Sequence, residues 1–239
     1  MGYHYLFLTI GLLGYGLKRY NGYDLDSYFK LAEGVKSGLA LYGDPPLSLY
    51  PPSGAYLLEL LQFIPKSATH PTWYCLSILI FYRLSKIAFA LFPTAKPKVK
   101  QIGFYWLSWL GILQGLGAQL EGGNINLLLM YLMIEGFNLL FKSASDQKRV
   151  LLGLFLCWLP VMFKPYLGLI SCGLTLFCLR RYSWKVGIAP VLVGLMMTIV
   201  PALFKGPGAV FADYSNWLSG DVSYIDCAFT LKCNAVNYG

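Results

Sequence analysis

Charge is scarce in this chain. Asp, Glu, Lys and Arg make up 13% of its 239 residues, about half of the roughly 25% usual in a soluble domain, while 56% are hydrophobic and the mean hydropathy is +0.55. That balance excludes a soluble enzyme, a disordered chain and a collagen-like repeat, and leaves an integral membrane protein. Histidine is scarcer still: His4 and His70 are the only two, which excludes a histidine-rich metal site. The 6 cysteines lack zinc-ligand spacing, and Cys75, Cys157, Cys172 and Cys178 sit in apolar runs. Cys227 and Cys233 lie in a polar tail, where they form a disulfide if the tail is extracytoplasmic or otherwise stay as two thiols. No basic residue precedes the first apolar run, residues 3–17, and no small-x-small cleavage pattern follows it. It therefore reads as an uncleaved anchor and not as a signal peptide.

What is present is a succession of apolar runs, covering residues 72–92, 102–120, 124–141, 151–163, 165–179 and 186–204. At about 20 residues per helical span, the chain accommodates about seven, so the expected fold is an all-α polytopic transmembrane bundle in a single domain. Three short basic loops separate the runs: Lys96, Lys98 and Lys100; Lys142, Lys148 and Arg149; Arg180, Arg181 and Lys185. Two passes lie between successive loops, so all three share one side, which the positive-inside rule makes cytoplasmic. The net charge of +8 is thus read as topology and not as affinity for nucleic acid. The other side receives residues 18–71 as an extracytoplasmic loop, the turn at Glu121 and Asn124, Lys164, and the tail from Lys205. All acidic residues except Glu135 and Asp146 fall there. Acidic residues barely influence orientation, so their segregation points to a reaction centre.

The runs 151–163 and 165–179 are short. Each reaches only about 20 Å, against a hydrocarbon core of about 30 Å, so the junction Lys164-Pro165 is expected to sit recessed beneath the outer surface, with Pro165 breaking the helix. A lysine at that depth either meets an anion or a water-filled cavity or snorkels to the surface. Arg83 and Glu135 both fall near mid-span, which predicts a mutual ion pair. Trp73, Tyr74, Trp106 and Trp217, near run ends, read as interfacial anchors and not as sugar platforms.

In the outer loop, Tyr28, Leu31, Ala32 and Val35 recur at i, i+3, i+4 and i+7, predicting an amphipathic surface helix over residues 26–37 that Gly38 ends. Asp24 stands at or just before its N-terminus, and either Asp24 or Asp26 can serve simply as an N-cap. A Pro-rich turn, Pro45-Pro46 and Tyr50-Pro51-Pro52, leads into the apolar stretch 54–64 closed by Pro65. Eleven residues make only about 16 Å of helix, so this element is interfacial or re-entrant. Two such helices build a platform suited to a lipid-linked substrate entering from the bilayer.

The run YDLDSYFKLAEGVKSGLALYGD, followed by LYPPSGAYLLELLQFIP, resembles the opening of glycosyltransferase family 87, the polyprenol-phosphate-mannose-dependent mannosyltransferases. The matching positions are Asp24, Tyr28, Gly38, Tyr42 and Tyr50-Pro51-Pro52. The family's Gly-Gln-x-Asn resembles Gly123-Asn124-Ile125-Asn126, with Asn in place of Gln, and its lysine and closing basic residues are similar to Lys164 and Arg180-Arg181. The resemblance implies the C-type glycosyltransferase fold, a polyprenyl-phosphate mannose donor, a glycan or glycolipid acceptor, and inversion at the anomeric carbon. It also implies the plasma membrane of a bacterium, with the endoplasmic reticulum as the alternative. Members of the family usually continue for several further spans beyond a loop like 209–239, so the chain is expected to be an N-terminal piece.

Transfer from a lipid phosphate needs a base for the acceptor hydroxyl, a group that balances charge on the leaving phosphate, and exclusion of water. The resemblance assigns the base to Asp24, and Tyr28 to substrate binding. A carboxylate near a low-dielectric interface is expected to titrate nearer neutrality, which favours a base. Lys164 is the candidate phosphate cation. Asn124 and Asn126 either bind sugar hydroxyls or cap the span that follows. Glu121 and Asp26 are second-rank candidates. Asp24-Leu25-Asp26 also spells D-x-D, a metal motif of nucleotide-sugar transferases. A lipid monophosphate needs less neutralisation than a nucleoside diphosphate, so neither a metal nor another cofactor is expected. Two other classes stay open, a transporter or flippase for a lipid-linked or anionic solute and a non-catalytic membrane partner.

Overall fold

A computed structural model describes residues 21–42, 48, 50–90, 119–142 and 146–229. The expected anchor 3–17, most of the run 102–120, Trp106, the loop with Lys96, Lys98 and Lys100, the Pro45-Pro46 turn, the side chain of Cys227 and all of Cys233 lie outside what is described. The described residues are helical, with no strand among them. One helix among them, Trp184–Lys205, is long and apolar enough to cross a membrane.

Helix α1 (Tyr23–Lys36) starts three residues earlier than its periodicity predicts. Its N-cap is Gly22, at φ 62°, and neither aspartate caps it: Asp24 and Asp26 occupy the first turn, where the helix dipole favours them. The early start has a long-range cause. The amides of Asn21 and Gly22 both donate to the carbonyl of Glu121, at 3.0 and 2.9 Å, tying the helix entrance to the turn before α4. The predicted face is buried, with Leu25, Tyr28, Phe29, Leu31, Ala32 and Val35 turned inward, and Gly38, at φ 76°, ends the element.

Helix α2 (Pro52–Glu59) begins on the proline that pre-sets its first turn, and continues as a 3-10 turn, Leu60–Phe63. Helix α3 (Lys66–Ala90) begins six residues before the apolar run and holds Pro71 near its start. Helices α4 (Asn126–Lys142) and α5 (Gln147–Trp158) pack closely through glycines. A Cβ on Gly136 would stand 2.6 Å from the carbonyl of Gly153, and one on Gly153 would stand 2.9 Å from that of Gly136. Small residues at such a crossing let the backbones approach.

After α5 the chain tightens into a 3-10 turn, Leu159–Met162. It then breaks at Lys164 and resumes through Pro165–Leu167 into α6 (Gly168–Arg181), as the proline predicts. Helix α7 (Ile188–Lys205) leads into α8 (Pro207–Phe229). The tail read as a polar loop is therefore helical over most of its described length. It is held by tertiary contacts: the hydroxyl of buried Tyr56 donates to Asp213 at 2.5 Å, and Tyr214 donates to the carbonyl of Met197 at 2.8 Å.

Helix α4 runs between two chemically distinct ends of the molecule. At one end, Leu140, Val150, Cys178 and Val186 share a core cluster, which brings the loops of Lys142, Lys148, Arg149, Arg180, Arg181 and Lys185 together. At the other end, Ile125 and Leu129 join Leu25, Phe29, Leu41, Ala55 and Tyr56, seating the α1–α2 platform on the start of α4. Between the two ends, Arg83 and Glu135 form the expected pair in bidentate geometry, Nε–Oε2 3.1 Å and Nη2–Oε1 2.7 Å.

Candidate active site

A cavity of about 520 Å³ opens at the platform end, within the roughly 300–1,000 Å³ typical of small-molecule sites. Asp24 and Tyr28 reach it from α1, Tyr50 and Pro51 from the entrance to α2, Phe163, Lys164 and Tyr166 from the break after α5, and Trp217 from α8. The early aspartate and the lysine of the helix break thus face one space.

Asp24 is held by Asn124 and fits against Gly122. Its Oδ2 accepts the side-chain amide of Asn124 at 2.9 Å and lies so near Gly122 that a Cβ there would stand 2.6 Å away. The other end of the Asn124 side chain accepts the amide of Asn126 at 2.8 Å. Asn124 therefore caps the start of α4 and holds Asp24; it does not itself line the cavity, and its polar partner is Asp24 where the sequence suggested a sugar hydroxyl. Asn126 and Glu121 are not among the residues lining the cavity; Glu121 contributes its backbone carbonyl to the entrance of α1.

Lys164 is half-buried, makes no ion pair among the described residues, and places its ammonium 5.9 Å from the centre of the Tyr166 ring. Its position follows from a close backbone approach. Ser53 donates to the carbonyl of Met162 at 3.0 Å, and a Cβ on Gly54 would stand 2.8 Å from that same oxygen. The Pro-Pro-Ser-Gly stretch thus presses the helix break against the platform.

Asp26 faces away from Asp24. Its Oδ1 meets Lys66 Nζ at 2.6 Å and His70 Nε2 at 3.2 Å, both on α3. Burial pushes its carboxyl upward, but the hydrogen bond and charge of Lys66, aided by His70, outweigh that and hold it below the ordinary carboxylate value. The two aspartates of D-x-D consequently serve different neighbours, and no group of three His, Cys, Asp or Glu side chains gathers among the described residues.

Tyr28 is buried, and its hydroxyl oxygen accepts the amide of Ile125 and lies 3.2 Å from the hydroxyl of Tyr50. Burial, with Tyr50 and Asp24 nearby, pushes the Tyr28 phenol well above its ordinary value, and burial likewise raises Tyr50, so both stay protonated. The backbone of Tyr50 is pinned by Tyr42, whose hydroxyl donates to its carbonyl at 2.8 Å, and by Ser48. Trp217, expected as an interfacial anchor, lines the cavity; it lies in the helix that the sequence reading missed. Tyr50 stood in the sequence only as part of a motif, with no role attached to its hydroxyl.

The family model of glycosyltransferase family 87 matches residues 49–229, a region that includes Tyr50, Asn124, Lys164 and Trp217 but begins after α1. The chain belongs to glycosyltransferase family 87. It is therefore a glycosyltransferase by family, and neither a transporter nor a non-catalytic role has comparable support. No curated protein and no solved structure matches it.

Proposed function

We propose that the protein is a multi-pass membrane enzyme that transfers a hexose, mannose by resemblance, from a polyprenyl-phosphate sugar to a glycan or glycolipid at the extracytoplasmic face of a bacterial plasma membrane. The observation that carries this reading is the convergence of Asp24 and Lys164 on one cavity. It pairs an anion able to accept a proton with a cation able to meet a phosphate, at the end of the bundle opposite the basic loops.

In this mechanism Asp24 takes the proton of the acceptor hydroxyl as its oxygen bonds to the anomeric carbon. The bond from that carbon to the phosphate oxygen breaks, the electron pair leaves with the phosphate, and the configuration inverts. Lys164 stabilises the charge that grows on the phosphate. Asn124 fixes the carboxylate, for which Gly122 leaves room, and a fixed charge requires less reorganisation during the reaction. The apolar faces of α6 and α7, with Leu169, Leu176, Phe177, Leu195 and Leu203 exposed, suit contact with lipid. About seven spans, as the apolar runs suggest, complete the picture.

The test is full-length protein in detergent, supplied with radiolabelled polyprenyl-phosphate mannose and candidate glycan or glycolipid acceptors. Transfer by the unaltered protein and none by Asp24→Asn or Asp24→Ala, at equal expression, is expected. Full transfer by either variant removes Asp24 from the mechanism.

A further inference from the structure

The hydrogen bonds around Tyr28 set a direction for each proton. The amide of Ile125 can only donate, and it donates to the Tyr28 oxygen at 3.2 Å. Among the described residues, the one other partner of that hydroxyl is Tyr50, oxygen to oxygen 3.2 Å. Tyr28 is 5% exposed even though it borders the cavity, and the acceptor at hand for its proton is the Tyr50 oxygen, since a buried donor left unpaired is costly. The Tyr28 proton must therefore go to the Tyr50 oxygen. That leaves the Tyr50 proton with no acceptor among the described residues, on a residue that lines the cavity beside Asp24.

The ring of Tyr50 meets that of Phe163 edge-to-face at 6.0 Å, and Phe163 is the residue before Lys164. The hydroxyl is thus held on the wall that also presents the lysine. We propose that Tyr50 is a substrate-contacting residue whose hydroxyl donates to an oxygen of the donor lipid's phosphate alongside Lys164, and that Tyr28 acts through it as a positioning residue. The directed series Ile125 N–H to Tyr28 to Tyr50 to phosphate places a neutral donor next to a cation. This favours an anionic oxygen over a sugar hydroxyl, because a hydrogen bond to a charged acceptor is the stronger.

The experiment measures binding of sugar-free polyprenyl monophosphate to the full chain in detergent, together with transfer kinetics. Tyr50→Phe keeps the ring against Phe163 and is expected to weaken binding about ten- to a hundredfold; it also leaves the Tyr28 hydroxyl without its acceptor, so the melting temperature should fall, and recover in the double variant. Tyr28→Phe is expected to weaken it less, and the double variant to bind no worse than Tyr50→Phe alone, since the two act in series. Replacing Tyr50 by 3-fluorotyrosine keeps the shape and sharpens the donor, so affinity should rise. Wild-type affinity in Tyr50→Phe or in the fluorinated protein, or additive losses in the double variant, would overturn the assignment. The inference rests on the function proposed above. A wild-type protein that neither binds the monophosphate nor transfers sugar sinks both, whereas normal wild-type binding with an indifferent Tyr50 sinks this one only.

Discussion

Asn124 and Asp24, separated by 100 residues in the chain, are joined by a 2.9 Å hydrogen bond that fixes a carboxylate lining the cavity. The same asparagine caps the start of α4 through its other atom, so the site and the helix are built on one side chain. Asn124→Ser separates the two roles, because serine retains a capping oxygen and loses the amide donor. Stability should change by a few tenths of a kcal/mol. Transfer should fall by one to two orders of magnitude, since a hydrogen bond to a charged group contributes about 1.5–3 kcal/mol. Steady-state transfer rates and thermal melts on the same preparation check both parts.

Two glycines predict opposite outcomes. At Gly122 an added Cβ meets the tip of the Asp24 side chain, 2.6 Å from Oδ2, which can swing aside. Gly122→Ala should therefore leave folding near normal and lower turnover by displacing the base. At Gly54 the added Cβ meets the backbone oxygen of Met162 at 2.8 Å, which cannot move without separating the platform from the helix break. Gly54→Ala should destabilise by about 1–3 kcal/mol, the usual range for overpacking, and reduce activity with it. Equal melting temperatures for the two variants would contradict this contrast.

The parts of the fold visible in the sequence are those set by local pattern. The buried face of α1 follows from the spacing of Tyr28, Leu31, Ala32 and Val35, and the break at Lys164 follows from Pro165 and the short runs around it. The parts that were not visible depend on distant partners. The helix at Pro207–Phe229 is mixed in polarity, with Asp213, Tyr214 and Asn216 among its residues, and is held by bonds to Tyr56 and to the Met197 carbonyl. No local window contains those bonds, so Trp217 could not be placed at the cavity. The start of α1 depends on the Glu121 carbonyl, and the role of Tyr50 depends on which way a neighbouring proton points. Asp24, Tyr28 and Lys164 were legible as candidates because motif and topology named them together; their shared cavity needed the fold.

Arg83 and Glu135 pair within the bundle, and Asn138 adds a bond to Glu135 Oε1 at 3.3 Å. The Glu135 side chain is only 12% exposed, so removing its partner leaves a carboxylate with little water. Arg83→Met should lower stability by about 1.5–3 kcal/mol, and Glu135→Met by a comparable amount. The double variant should recover a large part of the loss, because neither charge is then stranded. A double-mutant cycle from thermal melts reads the coupling directly, and additive losses would mean that the pair does not act as a unit.

Asp26 provides a pH test that separates it from Asp24. Its carboxyl binds a proton more weakly in the folded protein than at its ordinary value of 3.8, because Lys66 and His70 overcome the effect of burial. The folded state therefore gains stability from Asp26 above that value and loses it as pH falls through the lower folded value. Both partners in the bond to Lys66 are more than a third exposed, which limits the gain to at most about 1 kcal/mol. The difference in melting temperature between wild type and Asp26→Asn should persist through mildly acidic pH and vanish once pH falls below the lowered folded value. High salt should shrink it. Because Asp26 faces α3 and not the cavity, Asp26→Asn should keep more than about half of wild-type transfer at neutral pH, a loss within the ~0.5 kcal/mol of a surface change. Were Asp26→Asn as inactive as Asp24→Asn, the two aspartates would have to share a substrate or an ion during turnover, and α1 would have to rotate from the position seen here to allow it.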